Sequence, residues 1–114
     1  ALTARGYETL TPVQSAVIEP EAAGRDLVVS AQTGSGKTVA FGLAFAAQLM
    51  GEDGRVRRAG GPLALVIAPT RELALQVARE LDWLYREAGA RIATCVGGMN
   101  PQQERRALQA GATI

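Results

Sequence analysis

The 114 residues carry 12 basic and 11 acidic side chains, so a net charge of +1 leaves any polyanion contact to a local cluster. With 47% apolar and 20% charged residues the chain reads as one soluble globular domain able to bury a core. One cysteine and no histidine exclude a disulfide framework, Cys/His zinc sites and histidine-based catalysis. No segment is apolar for long enough to span a bilayer, and the first residues lack the order of a signal peptide, so a cytoplasmic protein is expected. The chain opens on Ala1 and stops without a polar tail, which reads as a piece of something longer.

Residues 1–10 read as irregular, with a short helical remnant before Gly6. Thr11-Pro12-Val13-Gln14 opens a helix: Thr11 caps, Pro12 suits the first helical position, and Gln14 reaches back to the Thr11 N–H. Pro20 ends or kinks that helix, and Gly24-Arg25-Asp26 turns the chain into Leu27-Val28-Val29. This run is continuously apolar, as in a strand covered by helices on both faces.

The segment Ala31-Gln32-Thr33-Gly34-Ser35-Gly36-Lys37-Thr38 follows, and a helical stretch runs from it to about Met50. A strand, a glycine turn and a helix start make a cradle for nucleotide phosphates. Its glycines let successive N–H groups point inward, and the helix N-terminus adds partial positive charge. Lys37 would reach the β/γ-phosphates and the Thr38 hydroxyl would hold Mg²⁺. The general pattern G-x-x-x-x-G-K-[ST] is departed from at its first position, Ala31.

Residues 51–62 form a glycine-rich exposed loop whose Arg55, Arg57 and Arg58 read first as solvated charge and second as a polyanion contact. Leu63 to Ala68 reads as a second buried strand, and Pro69-Thr70-Arg71-Glu72 opens a long amphipathic helix. The apolar stripe of that helix is Ala74, Val77, Ala78, Leu81, Leu84, Tyr85 and Ala88, with Trp83 at the rim. Arg91 to Val96 reads as a third strand, with Cys95 a buried thiol inside it, ending at Gly97-Gly98. Asn100-Pro101-Gln102-Gln103 repeats the capped helix start, Gly111 closes that helix, and a strand begins at Ala112. The alternation implies an α/β sandwich with a mainly parallel sheet. In such folds ligands lie beyond the carboxyl ends of strands, where residues 32–38, Pro69 to Glu72 and Gly97-Gly98 fall.

Several of these segments together resemble the DEAD-box RNA helicases. Residues 6–14, Gly-Tyr-Glu-Thr-Leu-Thr-Pro-Val-Gln, resemble the Q motif, with Leu10 in place of the commoner proline. Residues 31–38 look like motif I, where alanine at the first position is the norm; residues 69–76 are similar to motif Ia and Gly97-Gly98 to the GG motif. The resemblance implies that residues 1–114 are part of a RecA-like P-loop NTPase domain, stopping before the Asp-Glu-Ala-Asp strand. It implies ATP and Mg²⁺ as cofactors, bound by Tyr7, Gln14, Gln32, Thr33, Gly34, Ser35, Gly36, Lys37 and Thr38. Gln14 would hydrogen-bond the adenine edge, and Lys37 and Thr38 would serve catalysis, Thr38 as the magnesium ligand. Pro69, Thr70, Arg71, Gly97 and Gly98 would hold an RNA backbone without reading its sequence.

The implied function is ATP-dependent remodelling of RNA duplexes, with ATP binding and no turnover expected for these residues alone. Phosphoryl transfer needs a further acidic group and a residue that positions water. Glu19, Glu21, Asp26 and Glu52 read instead as surface charge. Unfilled sheet positions would also leave edges open to self-association. Two other readings stand beside this one: another P-loop NTPase, such as a nucleotide kinase or DNA-directed motor, and a non-catalytic nucleotide-binding or interaction module.

Overall fold

A computed structural model describes residues 2–114, leaving aside the side chain of Ala4. The chain divides into two compact units, residues 1–48 and 49–114.

The first unit begins with a single helical turn, Thr3–Arg5, closed by Gly6 at φ +76°. Helix α1 covers Pro12–Val17 and helix α2 covers Lys37–Ala44, and the two pack against each other. Val17, Val39 and Ala40 are buried, and so is Gln14, the only buried polar residue among those described. The expected long helix to Met50 is interrupted. α2 stops at Ala44, Phe45 takes up a non-helical conformation, and a four-residue helix α3, Ala46–Leu49, follows. Buried Gly42 lies two residues before that stop, and a mid-helix glycine costs about 1 kcal/mol relative to alanine. Phe41 and Phe45 still meet edge to face, with ring centroids 5.4 Å apart.

In the second unit Met50 pairs with Val56 in an isolated antiparallel bridge, which folds the 51–62 loop back on itself. Gly51 N–H donates to Arg55 O at 2.7 Å and Val56 N–H to Ala88 O at 3.0 Å. Helix α4 spans Arg71–Tyr85 and buries Leu81 and Tyr85, while the rest of its expected stripe is half-buried or, at Ala88, buried just past its end. Helix α5 spans Pro101–Gln109; Asn100 Oδ1 accepts from Gln102 N–H at 2.9 Å, and Gly111 at φ +94° follows its end.

The expected strands are extended segments that do not join into a continuous ladder among the described residues. Residues 112–114 lie between two of them. Leu63 N–H donates to Thr113 O (2.8 Å), Thr113 N–H to Arg91 O (2.7 Å) and Ala93 N–H to Ile114 O (2.9 Å). The last two bonds step forward along both segments, the parallel sense. Residues 27–31 make no such bond, and Leu27, Val28 and Val29 are exposed, against the expectation of a strand covered on both faces.

Residues 63–68 correct the sequence reading in a second way. Ala64, Val66 and Ala68 are half-buried and line, with Ala74 and Val77 of α4, a cavity of about 170 Å³, whereas Leu65 and Ile67 are each 85% exposed. One face is covered by a helix and the other is open, so a continuously apolar run acquires an alternating burial pattern. Cys95, expected to be a buried thiol, is likewise exposed. No described helix is long and apolar enough to cross a membrane.

Burial pushes the Tyr85 phenol from an ordinary value of 10.0 up to about 12. The unfolded chain therefore loses this proton first, and Tyr85 contributes stability that is complete below pH 10 and falls away towards pH 12. In thermal unfolding followed from pH 9 to 11.5, Tyr85→Phe is expected to show a shallower alkaline fall than the parent. Parallel curves would exclude Tyr85 as the group responsible.

Candidate functional site

The loop before α2 owes its curl to two glycines in the left-handed region, Gly34 at φ +80° and Gly36 at φ +84°. Ser35 N–H closes a turn on Gln32 O at 3.2 Å, and Gly36 is the N-cap whose carbonyl accepts from Ala40 N–H at 3.0 Å. Lys37 folds back so that its ammonium donates to the Ala31 carbonyl, which keeps the charge over the loop. Thr38 is half-buried in the first turn of α2, while Gln32 and Thr33 are exposed.

Gln14 joins this loop to α1. Its side chain is 0% exposed, and both ends of the amide are used. Oε1 accepts from Thr11 N–H at 3.1 Å, the expected capping contact, and Nε2 donates to Gly36 O at 3.3 Å. The second bond spans 22 residues and has no signature in the sequence. A buried amide costs several kcal/mol when unpaired, so these two bonds are what allow a glutamine in this position. Tyr7 is half-buried, its N–H donating to Leu2 O at 3.1 Å.

Two hydroxyl oxygens here are buried without a hydrogen-bond partner: Ser35 Oγ in the loop and Thr11 Oγ1 beside it. A Cβ on Gly36 would lie 3.4 Å from Thr11 Oγ1, which places that hydroxyl against the loop backbone. Unpaired polar atoms, a lysine and a helix N-terminus around a glycine loop fit a nucleotide's phosphate chain. For Mg²⁺ the loop offers the Thr38 hydroxyl; the described residues contain no cluster of three or more His, Cys, Asp or Glu.

In the second unit Thr70 and Arg71 open α4. Thr70 Oγ1 accepts from Leu73 N–H at 3.2 Å, so this residue caps the helix. Arg71 extends to the glycine pair 27 residues away. Its Nη2 donates to Met99 Sδ at 3.3 Å, and a Cβ on Gly98 would lie 3.2 Å from its Nη1. Gly98 owes its place to its turn, at φ +80°, with the guanidinium lying close against it. Glu104 Oε1 accepts from Val96 N–H at 2.9 Å and fixes the end of the extended segment before the pair. Pro69, Thr70, Arg71 and Gly97 line one open groove of about 340 Å³. Met99 and Glu104 are the residues that the sequence reading missed; nothing in their spacing marks them.

A model of the DEAD/DEAH box helicase family matches residues 11–114. The chain belongs to that family. It is 44% identical over 117 residues to DEAD-box ATP-dependent RNA helicase 3A, chloroplastic, of Zea mays, covering 99% of this chain and 15% of the relative. It is 37% identical to the ATP-dependent RNA helicase RhlB of Idiomarina loihiensis, covering 100% of this chain and 27% of that protein. The fold is similar to that of the RNA helicase Prp28 of Chaetomium thermophilum bound to ADP, with a TM-score of 0.79 and 36% identity over 97% of this chain and 27% of that one. The chain thus spans well under a third of the length of these helicases, and the RecA-like helicase fold expected from the sequence is supported.

Gly34 and Gly36 share a positive φ but not their surroundings. A Cβ on Gly34 meets nothing within 4 Å, whereas one on Gly36 comes within 2.3 Å of Gln14 Nε2, whose side chain is bonded at both ends. Gly34→Ala is expected to cost about 1 kcal/mol of backbone strain and Gly36→Ala about 2–3 kcal/mol. Thermal unfolding of the two variants checks the order; equal losses would mean that the Gln14 amide moves aside freely.

Proposed function

We propose that residues 1–114 form the ATP-binding part of an ATP-dependent RNA helicase that couples ATP binding and hydrolysis to RNA duplex remodelling. The observation that carries this reading is the Gln14–Gly36 hydrogen bond: it ties the Q-motif glutamine to the phosphate loop in a chain of the DEAD/DEAH family. On this reading residues 6–14, 31–38, 69–76 and 97–98 are the Q motif, motif I, motif Ia and the GG motif.

Lys37 and the amides of Gln32 to Gly36 hold the phosphate chain, Thr38 holds Mg²⁺, and Gln14 reads the adenine edge with Tyr7 beside it. Lys37 exchanges the Ala31 carbonyl for phosphate oxygens, a charge-assisted contact in place of a neutral one. Gln14 must release at least one of its two internal bonds to reach a base, so base recognition is coupled to the loop at Gly36. ATP and Mg²⁺ supply the phosphoryl chemistry when bound. Pro69, Thr70, Arg71, Gly97 and Gly98 grip an RNA backbone, with Met99 holding the guanidinium in place.

Hydrolysis also calls for a second acidic ligand and a water-positioning residue. The Asp-Glu-Ala-Asp sequence that supplies them in the family does not occur in residues 1–114, so these residues bind nucleotide without turnover. The exposed Val28, Leu65 and Ile67 favour self-association when residues 1–114 are studied alone. The maize relative is a chloroplast protein by name, so family membership does not by itself carry the cytoplasmic expectation.

Titration with a fluorescent ATP analogue is expected to show binding that Lys37→Ala weakens at least tenfold, with no steady ATP turnover. Turnover that scales with protein and disappears in Lys37→Ala would overturn the second half of this reading. Gln14→Ala should weaken ATP more than GTP in competition with the same probe. An equal loss for both would leave Gln14 only its structural part, a difference separable from the lowered melting temperature expected in either case.

A further inference from the structure

Loop 51–62 and two distant points of the chain close around an open groove of about 1030 Å³. Four arginines line it, Arg55, Arg57 and Arg58 from the loop and Arg91 from the start of an extended segment, against one acidic residue, Asp53. Asp53 Oδ1 is engaged by the Arg55 backbone N–H at 3.1 Å, and no carboxylate pairs with any of the four guanidiniums among the described residues. Two of the arginines are anchored. Arg57 Nε donates to Met50 O at 3.0 Å and Arg91 Nη1 to Ala110 O at 2.7 Å. Arg55 and Arg58 are exposed and make no side-chain bond among the described residues.

The groove is distinct from the Arg71 cluster. Leu63, Ala64, Arg91 and Ala93 all meet residues 113–114, so the 63–68 and 91–96 segments start on either side of the same two residues. Both end at the Arg71–Met99 contact. Six extended residues span about 20 Å. The four arginines gather at the starting end and Arg71 at the finishing end.

We propose that this groove is a second RNA-backbone site, one that holds the phosphates of a single strand away from the Arg71 cluster. Unpaired guanidiniums suit phosphate oxygens, which they meet with two parallel N–H bonds. Five glycines in the lining let a polymer backbone come close, and no aromatic side chain is present to stack a base, so the contact is to phosphate and independent of sequence. The choice of RNA over an acidic protein rests on the helicase reading above, which makes RNA the polyanion this protein handles. The site extends that reading from one phosphate-binding locus in this unit to two, and it explains how a chain of net charge +1 presents a basic surface.

The test uses the purified full chain and a fluorescein-labelled 12-nucleotide oligouridylate, with anisotropy read from 50 to 200 mM KCl. Arg55→Gln/Arg58→Gln removes the two guanidiniums that hold nothing else, so its melting temperature should be unchanged. Its affinity at 50 mM KCl should fall at least fivefold, and the slope of log K against log salt should lessen by ~1.4, two phosphate contacts at ~0.7 each. The same losses should appear when Arg71 is already replaced by alanine, which separates this groove from the proposed motif Ia contact. Unchanged affinity and slope in the double variant would overturn the proposal. So would a 12-residue oligoglutamate that displaces the RNA at equal or lower concentration, since the groove would then be a site for acidic protein. ATP-analogue binding that Lys37→Ala leaves unchanged, with the groove result intact, would count against the helicase reading alone.

Discussion

A single buried amide ties α1 to the phosphate loop. Gln14 sits on the covered face of a six-residue helix, where a polar side chain is tolerable only if each of its ends is satisfied. One end closes the turn at Thr11 and the other holds the Gly36 carbonyl, at the point where the phosphate loop becomes α2. Because that carbonyl also receives the first bond of α2 from Ala40, the start of one helix and the start of the other are tied through one side chain. The glycine at 36 follows from this arrangement twice over, once for its φ and once because any Cβ would occupy the space of the amide.

The second unit solves a different problem with similar means. Arg71 stands in the first turn of α4, where the helix dipole disfavours a cation. The guanidinium instead reaches the Met99 sulfur and the backbone at Gly98, so its position is set by the loop after the 91–96 segment. That loop is in turn braced by Glu104 from α5 and by the Asn100 cap. Thr70, beside it, is engaged as an N-cap through one lone pair, which leaves its O–H free to donate to a further partner. Charged and glycine-rich ends thus appear at both ends of the extended segments, with an apolar middle covered by α4 on one face.

The open faces carry as much meaning as the covered ones. Leu27 to Val29 and the outward side of residues 63–68 are apolar and exposed, Val28, Leu65 and Ile67 most of all. An apolar sequence states that a segment favours burial; it does not say what supplies the cover. Cys95 shows the same thing at one residue, being surrounded by apolar neighbours in sequence and exposed in space.

Local chemistry was legible in the chain itself. The reach of Gln14 back to Thr11 N–H, the Asn100 cap, the glycine turns at 34–36 and 97–98, the α4 stripe and the family motifs all depend on residues within a few positions of one another, where hydrogen-bond reach and helical period decide the outcome. The expected cap by the Thr11 hydroxyl does not form. What only the tertiary structure decided lies across long separations: the Gln14–Gly36 bond, the Arg71–Met99 contact, and the sharing of one groove by Arg91 and the 55–58 loop. Those depend on which surfaces are brought face to face. No local spacing encodes that, because the energy of burying a group belongs to the pair of surfaces and not to either segment alone.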